Sequence, residues 1–505
     1  MAVVWLFLSI AVGLIAFLVY SMRKNFSYWK TKGIAYEEPH PFLGSMEGLN
    51  NTRSFADIMQ QYYDKFRGTG PFAGFYFGYK PAAFILEPAV MKDILIKEFN
   101  NFTDRGFFHN EKDDPLSGQL FLVDGHKWRR MRNKLSPTFT SGKMRFMFPI
   151  ITQIGEEFIE VMDQMAKDNP EIEIKDILAR FTTDVIGSCA FGIDCGSLKN
   201  PHAEFREFGR RSLREQRHGN LVNAFIHSFP KLAAKMHFKL FPQEIIDFFL
   251  RIVKETVEYR EQNNVRRNDF MDMLIDLKNK KLVKSEDGDD MTNLTMEEIT
   301  AQAFVFFNAG FDTSSTTMSF ALYELARNQD VQEKARHEVL EMYKKNDHKF
   351  GYESMKEMPY LDQMISETLR MYTVAPMLNR QAIGDYQVPG NPKYVIKKGM
   401  PVLIPISAIH LDERYYPNPH KFDPENFSHD KVTQRDPVLY MPFGDGPRNC
   451  IGMRFGKMQT KIGLTILLKN FRFSACSKTQ IPMEFDKKQM LITPAKGIVL
   501  KVTKI

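Results

Sequence analysis

Position 450 holds a cysteine whose neighbours would give a thiol unusual chemistry. It lies in Phe443-Gly444-Asp445-Gly446-Pro447-Arg448-Asn449-Cys450-Ile451-Gly452. Gly446 and Gly452 allow backbone conformations and close approaches that a Cβ would block. A helix predicted just after the cysteine would present amide dipoles that favour thiolate, and Arg448 adds a cation two residues away. Such a thiolate could act as a nucleophile, a redox sensor or an axial metal ligand, and the spacing alone does not choose among them. A second unusual stretch is Ala309-Gly310-Phe311-Asp312-Thr313-Ser314, where small residues, an acid and a hydroxyl interrupt a helical pattern. Glu367 and Arg370 stand three apart, so both fall on one helical face. Trp128 and Arg132 do the same at a spacing of four.

Helical periodicity covers most of the chain that must position these groups. It runs from about residue 150 to 372, with a long pattern at 296–327, another at 360–372, and a last helix at 453–469. Beyond Gly384 the texture changes to short β-like runs, among them 394–396 and 401–404, and the chain closes on a strand-like 497–502. The fold class expected is mainly α with small β-sheets. The charge run 284–290 reads as a solvated loop.

The 505 residues carry 68 basic and 61 acidic side chains, a net charge of +7, with 43% hydrophobic positions. That mild balance argues against a nucleic-acid partner, and the apolar fraction excludes disorder and multi-span classes. Four cysteines without a C-x-x-C pair fit a reducing compartment rather than a disulfide scaffold. Residues 2–20 carry no charge, and Arg23, Lys24, Lys30 and Lys32 follow. A single N-terminal transmembrane helix over residues 1–22 is therefore expected, with the body cytosolic by the positive-inside rule. Residues 23–44, including Glu37-Glu38-Pro39-His40-Pro41, read as a basic and proline-stiffened connector, and 45–505 as one catalytic domain. Five N-x-S/T sequons would then be chance occurrences.

The pattern F-x-x-G-x-R-x-C-x-G over 443–452 resembles the haem-binding loop of the cytochrome P450 family, in which a thiolate ligates haem iron and favours O–O cleavage. The resemblance implies haem b bound through Cys450 as the metal ligand, with Phe443, Gly446 and Gly452 shaping the loop and Arg448 pairing with a haem propionate. Trp128 and Arg132 match W-x-x-x-R, whose side chains contact a propionate; Arg105 and Arg380 match by local context. Residues 309–313 resemble [AG]-G-x-[DE]-T, with Ala309 and Gly310 leaving room above the iron, and Asp312 and Thr313 delivering protons to bound O2. Glu367 and Arg370 match the structural E-x-x-R pair. The family locks that pair with an arginine, where this chain has Asn426, so a weaker lock is expected. Thr373 stands where many relatives have proline.

The stretch from Gly125 to Pro149 looks closest to insect family-6 microsomal enzymes, which implies an endoplasmic-reticulum monooxygenase of lipophilic xenobiotics such as insecticides and plant toxins. Electrons would come from NADPH through NADPH–cytochrome P450 reductase, with cytochrome b5 as an optional second donor. By family position the pocket walls would be Phe107, Phe108, Phe121, Phe304, Phe307, Val374, Met377, Met490 and Leu491. Lys127, Arg130 and Lys134 form a basic stripe suited to an acidic reductase. Phenylalanines within 221–250 (Phe225, Phe229, Phe238, Phe241, Phe248, Phe249) could dip into the membrane or pack on the core. Alternative functions are a reductase-independent haem-thiolate isomerase or dehydratase, a hydroxylase of endogenous lipids or hormones, and a haem sensor without turnover.

Overall fold

The computed structural model describes residues 20–279 and 293–505, together with Trp5, Ser9, Val12 and Gly13. Most of the expected membrane span and the whole 284–290 charge run lie outside the described residues. Among the described residues, no helix is long and apolar enough to cross a membrane.

Residues 37–39, next to the connector's prolines, form no helix, and the connector's helix lies earlier in the chain. Helix α1 (Tyr28–Lys32) carries the fully buried Trp29, whose indole N–H donates to the Phe75 carbonyl at 3.1 Å. Helix α2 (Phe55–Phe66) follows, opened by a Ser54–Asp57 capping box that satisfies two orphan donors reciprocally. Strands β1 (Phe72–Phe77) and β2 (Lys80–Ile85) form a hairpin that the helical reading of the sequence had missed. A later strand, β7 (Pro401–Ile404), pairs parallel to β2, and β4 (Leu378–Gln381) pairs antiparallel to β7. The order β1-β2-β7-β4 thus joins the N-terminal region to the chain just before the cysteine loop. A three-stranded sheet orders β3 (Glu171–Glu173), β9 (Val499–Lys504) and β8 (Phe471–Ser474), and the pair β5 (Tyr386–Gln387) and β6 (Val395–Ile396) stands apart.

The larger core is helical. It assembles α3 (Gly125–Leu135), α4 (Ser141–Asp168), α5 (Ile174–Ile186), α6 (Glu204–Arg214), α7 (Gln243–Gln262), α8 (Met296–Arg327), α9 (Pro359–Met371) and α10 (Met453–Asn470). Helix α8 begins where the sequence pattern placed it. Thr295 and Glu298 form its capping box, and Glu297 and Glu298 complement its positive end. Helix α9 starts at Pro359, and the Glu338 carboxylate accepts the next two amides, from Tyr360 (2.8 Å) and Leu361 (2.9 Å).

For two of the phenylalanines within 221–250, burial selects between the two readings. Phe248 and Phe249 pack with Phe205 and Phe304 between α6, α7 and α8, so they are core and not membrane-facing. Residues accessible from outside in that region include Phe229, Leu232 and Met236.

Gly74 in β1 is where the connector and sheet meet most tightly, because a Cβ there would fall 2.2 Å from the Trp29 ring. Gly74→Ala should therefore destabilise the protein by about 1–3 kcal/mol through overpacking. A lowered thermal unfolding midpoint checks this, while Gly68→Ala, with nothing near its Cβ, should show no clash, only the left-handed backbone cost.

Candidate haem site

The cysteine loop is a turn closed by its own backbone, with the Cys450 amide donating to the Phe443 carbonyl at 2.8 Å. Gly446 adopts φ +70°, and a Cβ there would overlap the Leu95 carbonyl oxygen at 1.9 Å. Only glycine lets the two segments approach so closely. Gly452 differs from expectation. Its φ of −88° is ordinary, and an added Cβ would have room, so its contribution is the amide it presents to the Cys450 sulfur.

Cys450 keeps accessible surface although protein surrounds it, which marks a side chain opening onto an internal cleft. Burial pushes its thiol up, while the Gly452 amide and the charges of Arg132 and Arg105 pull it down. A metal bound to the sulfur would reverse the net effect, since coordination deprotonates a thiol outright. On α8, Ala309 is exposed and Val305, Asn308, Gly310, Asp312 and Thr313 are half-buried, although its other residues between the first turn and Arg327 are buried. These residues make a stripe of accessible surface along a helix that otherwise lies in the core. Gln459, nine residues after the cysteine, donates to the Gly310 carbonyl at 3.3 Å and so ties α10 to that stripe. A Cβ at Gly310 would fall 2.7 Å from Ile186, so this glycine serves packing against α5.

Arginines supply the clearest sign that the site suits an anionic group. Arg448 donates to the Val123 carbonyl (2.8 Å) and Asp124 (3.1 Å), yet its Nε and Nη1 are buried without a partner. Arg380 bonds the Asn379 carbonyl through Nη1, and its Nε and Nη2 are likewise buried and orphaned. Burial lowers Arg448 to about 10, an effect that Asp124 opposes. Burial and then the charge of Arg448 lower Arg380 to about 9. Burial, Arg380 and Arg448 also push Arg105 down. Unpaired buried guanidinium groups are costly, so a dianionic ligand such as the propionates of haem fits what this cluster lacks.

The two residues of the W-x-x-x-R pattern make protein contacts of their own. Arg132 bonds the Asn449 carbonyl (2.8 Å) and its side-chain oxygen (2.7 Å), bracing the residue before the cysteine instead of offering a free fork. Trp128 packs its ring 4.4 Å from the Arg448 guanidinium and so orients that side chain. Arg105 reaches the Phe121 carbonyl and stacks on that ring at 4.1 Å, and Phe107 stacks on Phe121 in turn.

Thr313 donates its hydroxyl hydrogen to the Ala309 carbonyl at 2.7 Å, which leaves its lone pairs free to accept from water. The Asp312 carboxylate is not directed at Thr313. It pairs with Lys175 of α5 at 2.8 Å, and that ammonium also meets Ser315 and Thr316. Lys175 carried no motif and was missed.

The pocket expectation divides by accessibility. Phe107, Phe121, Met377, Met490 and Leu491 retain accessible surface. Phe304 and Phe307 have none and pack against Phe249 and Phe205, so they are core, not walls. Phe108 is also buried, in a small cluster with Ile226 and Ala233, and Val374 is nearly so. The basic stripe is corrected as well. Lys127 pairs with Glu111 at 3.0 Å and Arg130 lies 3.9 Å from Glu298, which removes two charges from an open basic face. Arg129, Arg454 and Lys457 are the exposed cations nearby in sequence to Trp128 and the cysteine.

The E-x-x-R pair is fully buried. Arg370 grips Glu367 bidentately at 2.7 and 2.8 Å and also donates to the carbonyls of His410 and Pro419, each at 2.8 Å. Glu367 further accepts the Asp423 amide (3.0 Å) and the Asn426 side-chain amide (3.1 Å). Four donors thus meet one carboxylate, the condition under which burying such a pair is tolerable. His410 extends the network toward the cysteine. Its Nε2 accepts the Met441 amide at 3.0 Å, so Nδ1 carries the hydrogen toward Thr373 at 2.7 Å. Thr373, the departure from proline, is therefore His410's partner.

A model of the cytochrome P450 family matches residues 35–502. The chain is 59% identical to "Probable cytochrome P450 6a21" and to "Cytochrome P450 6a9" of Drosophila melanogaster, each over 505 residues and the whole of both chains. It is 49% identical to "Cytochrome P450 6A1" of Musca domestica over 99% of this chain and 98% of that protein. These similarities, on top of the cysteine loop, define a haem-thiolate monooxygenase. The chain belongs to the cytochrome P450 family, whose members use haem, O2 and electrons supplied by a redox partner.

Burial and the nearby Arg370 lower His410 to about 3. Between that value and the unfolded 6.5 the unfolded chain binds a proton that the folded chain does not. Stability is therefore fully present above about pH 6.5 and falls with acidification, by up to about 1.4 kcal/mol per pH unit. His410→Gln, which retains an acceptor for Met441, should flatten that acid slope in thermal unfolding by close to one proton.

Proposed function

We propose that this chain is a membrane-anchored, NADPH-supported monooxygenase that inserts one atom of O2 into lipophilic compounds, foreign compounds such as insecticides and plant toxins among them. The observation that carries this reading is Cys450, accessible inside a buried cleft, with orphaned arginine nitrogens beside it and an accessible stripe on α8 tied to its helix. In this reading Cys450 would ligate the haem iron, and Arg448 and Arg380 would hold the propionates. Arg105 joins them, and Arg132 and Trp128 act one step back, on Asn449 and Arg448. Bound haem would supply O2 binding and reductive O–O cleavage, favoured by the thiolate.

The protein's part is to hold, exclude and deliver. The loop presents the sulfur with an amide donor that moderates its electron donation. Ala309 keeps side-chain bulk out of the cleft. O–O cleavage consumes protons on cue, and Thr313, held by its bond to Ala309, is the hydroxyl placed to pass them from water. Asp312 would serve that relay from its bridge with Lys175, by holding charge behind Thr313. Substrate would rest against Phe107, Phe121, Met377, Met490 and Leu491, whose apolar and adaptable surfaces suit lipophilic molecules more than polar ones.

The uncharged 2–20 segment and the cations after it support a signal-anchor in the endoplasmic reticulum, with residues 45–505 as the cytosolic catalytic domain. Electrons would arrive from NADPH–cytochrome P450 reductase, with cytochrome b5 as an optional donor. Arg129, Arg454 and Lys457 would steer an acidic partner to the face near the cysteine.

Thr313→Ala tests the proton role. With reductase and a turned-over lipophilic substrate, the variant should keep oxidising NADPH while product per NADPH falls about 10-fold or more and peroxide rises to match. Unchanged coupling would contradict the assignment.

A further inference from the structure

We propose that Arg435 supplies, from outside the usual segment, the second cation of the Glu367 lock that Asn426 leaves vacant, and thereby positions the cysteine loop. The inference rests on the haem-thiolate reading of that loop.

Asn426 is buried, and its side-chain amide faces the Glu367 carboxylate at 3.1 Å. An asparagine in that place completes the hydrogen bonds of the carboxylate and adds no charge. Its backbone carbonyl accepts from Arg435 Nη2 at 2.7 Å. The same residue is thus held on one side by the lock and on the other by a guanidinium nine positions later. That guanidinium lies 4.4 Å from the Tyr416 ring and 5.2 Å from the Phe427 ring. Tyr416 is also the ring under Arg370, at 4.9 Å. Arg370 and Arg435 therefore share one fully buried aromatic ring, and the charge of Glu367, which Arg370 and Asn426 hold, also reaches that ring. Cation–π contact lowers the cost of bringing the second guanidinium in without an adjacent carboxylate.

The consequence for the site follows from where Arg435 stands in the chain. It heads the segment that runs through Tyr440 and Met441 to the cysteine loop. Tyr440 donates to the Ser366 carbonyl at 3.1 Å, and the Met441 amide donates to His410. Arg435, Tyr440 and Met441 are three successive ties between this segment and the groups around Glu367 and Arg370. Loss of the first tie frees the approach to the loop while the Glu367–Arg370 pair itself remains intact. Arg435 is a positioning residue; it acts on the sulfur only through the loop.

The test is a double-mutant cycle on the full-length chain, solubilised from microsomes, with Arg435→Ala, Asn426→Arg and the two combined. Two readouts are taken: the thermal unfolding midpoint, and the share of carbon-monoxide-bound haem showing the strongly red-shifted thiolate band. Arg435→Ala should lower the midpoint by several degrees and move much of the band to its non-thiolate position. Adding Asn426→Arg to it should restore both. In the wild-type background, Asn426→Arg should give no gain, because the place it would fill is already served. Arg435→Gln keeps a donor for the Asn426 carbonyl without the charge, and should resemble Arg435→Ala.

If Arg435→Ala gives no folded protein, recovery of folded protein in the combined variant supports the proposal equally. An Arg435→Ala variant indistinguishable from wild type would overturn it, as would failure of the combined variant to recover, or an Arg435→Gln variant that behaves as wild type. A wild-type protein without the red-shifted band would instead remove the haem-thiolate reading on which the proposal rests.

Discussion

A carboxylate buried without any exposure, Glu367, makes demands that organise the chain around the cysteine. Its desolvation is offset only if both oxygens find donors, and Arg370, the Asp423 amide and the Asn426 amide provide three to Oε1 and one to Oε2. Arg370 must then dispose of its own remaining hydrogens, and it does so on the carbonyls of His410 and Pro419. Those bonds draw the segment after β7 onto α9, and His410 passes the constraint to Met441. Breaking the pair by removing one partner would cost about 3–5 kcal/mol, because a charge would be left buried alone. The lock does no chemistry. It determines where the loop that does chemistry can lie.

The cleft itself is built on the opposite electrostatic plan. Where the lock is satisfied, the arginines near the cysteine are not: Arg380 and Arg448 each keep two buried nitrogens without a partner. Such an arrangement is unfavourable for the polypeptide alone and favourable for a bound dianion. Neighbouring side chains spend their bonds on holding this cluster and its loop, Trp128 on Arg448 and Arg132 on Asn449. The arginine and tryptophan positions thus separate physically into residues suited to an anionic ligand and residues that brace them.

Much of this was legible in the sequence, and unevenly. The span of α8 could be read because its helical periodicity resumes on both sides of the 309–314 interruption, although the Thr295–Glu298 capping box that opens it went unread. The cysteine loop was legible because F-x-x-G-x-R-x-C-x-G resembles a known haem-binding loop, which chose among uses that spacing alone left open. Partners distant in sequence were not legible: Lys175 for Asp312, His410 for Met441 and Arg435 for Asn426 carry no local signal. The β1–β2 hairpin was missed because its strands are buried along most of their length and lack alternation. Phe304 and Phe307 were assigned to the pocket by family position, and the turn of α8 directs them into the core. Periodicity says that a helical face is apolar; it does not say whether the apolar face meets protein or substrate.

The central claim is that Cys450 is held by this framework as a thiolate ligand to haem iron. Expression of the full chain in microsomes, followed by the difference spectrum of the reduced, carbon-monoxide-bound protein, tests it most directly. The account predicts a strongly red-shifted Soret band that is lost in Cys450→Ala. A folded sample that binds no haem, or whose band is that of a non-thiolate ligand, would contradict it.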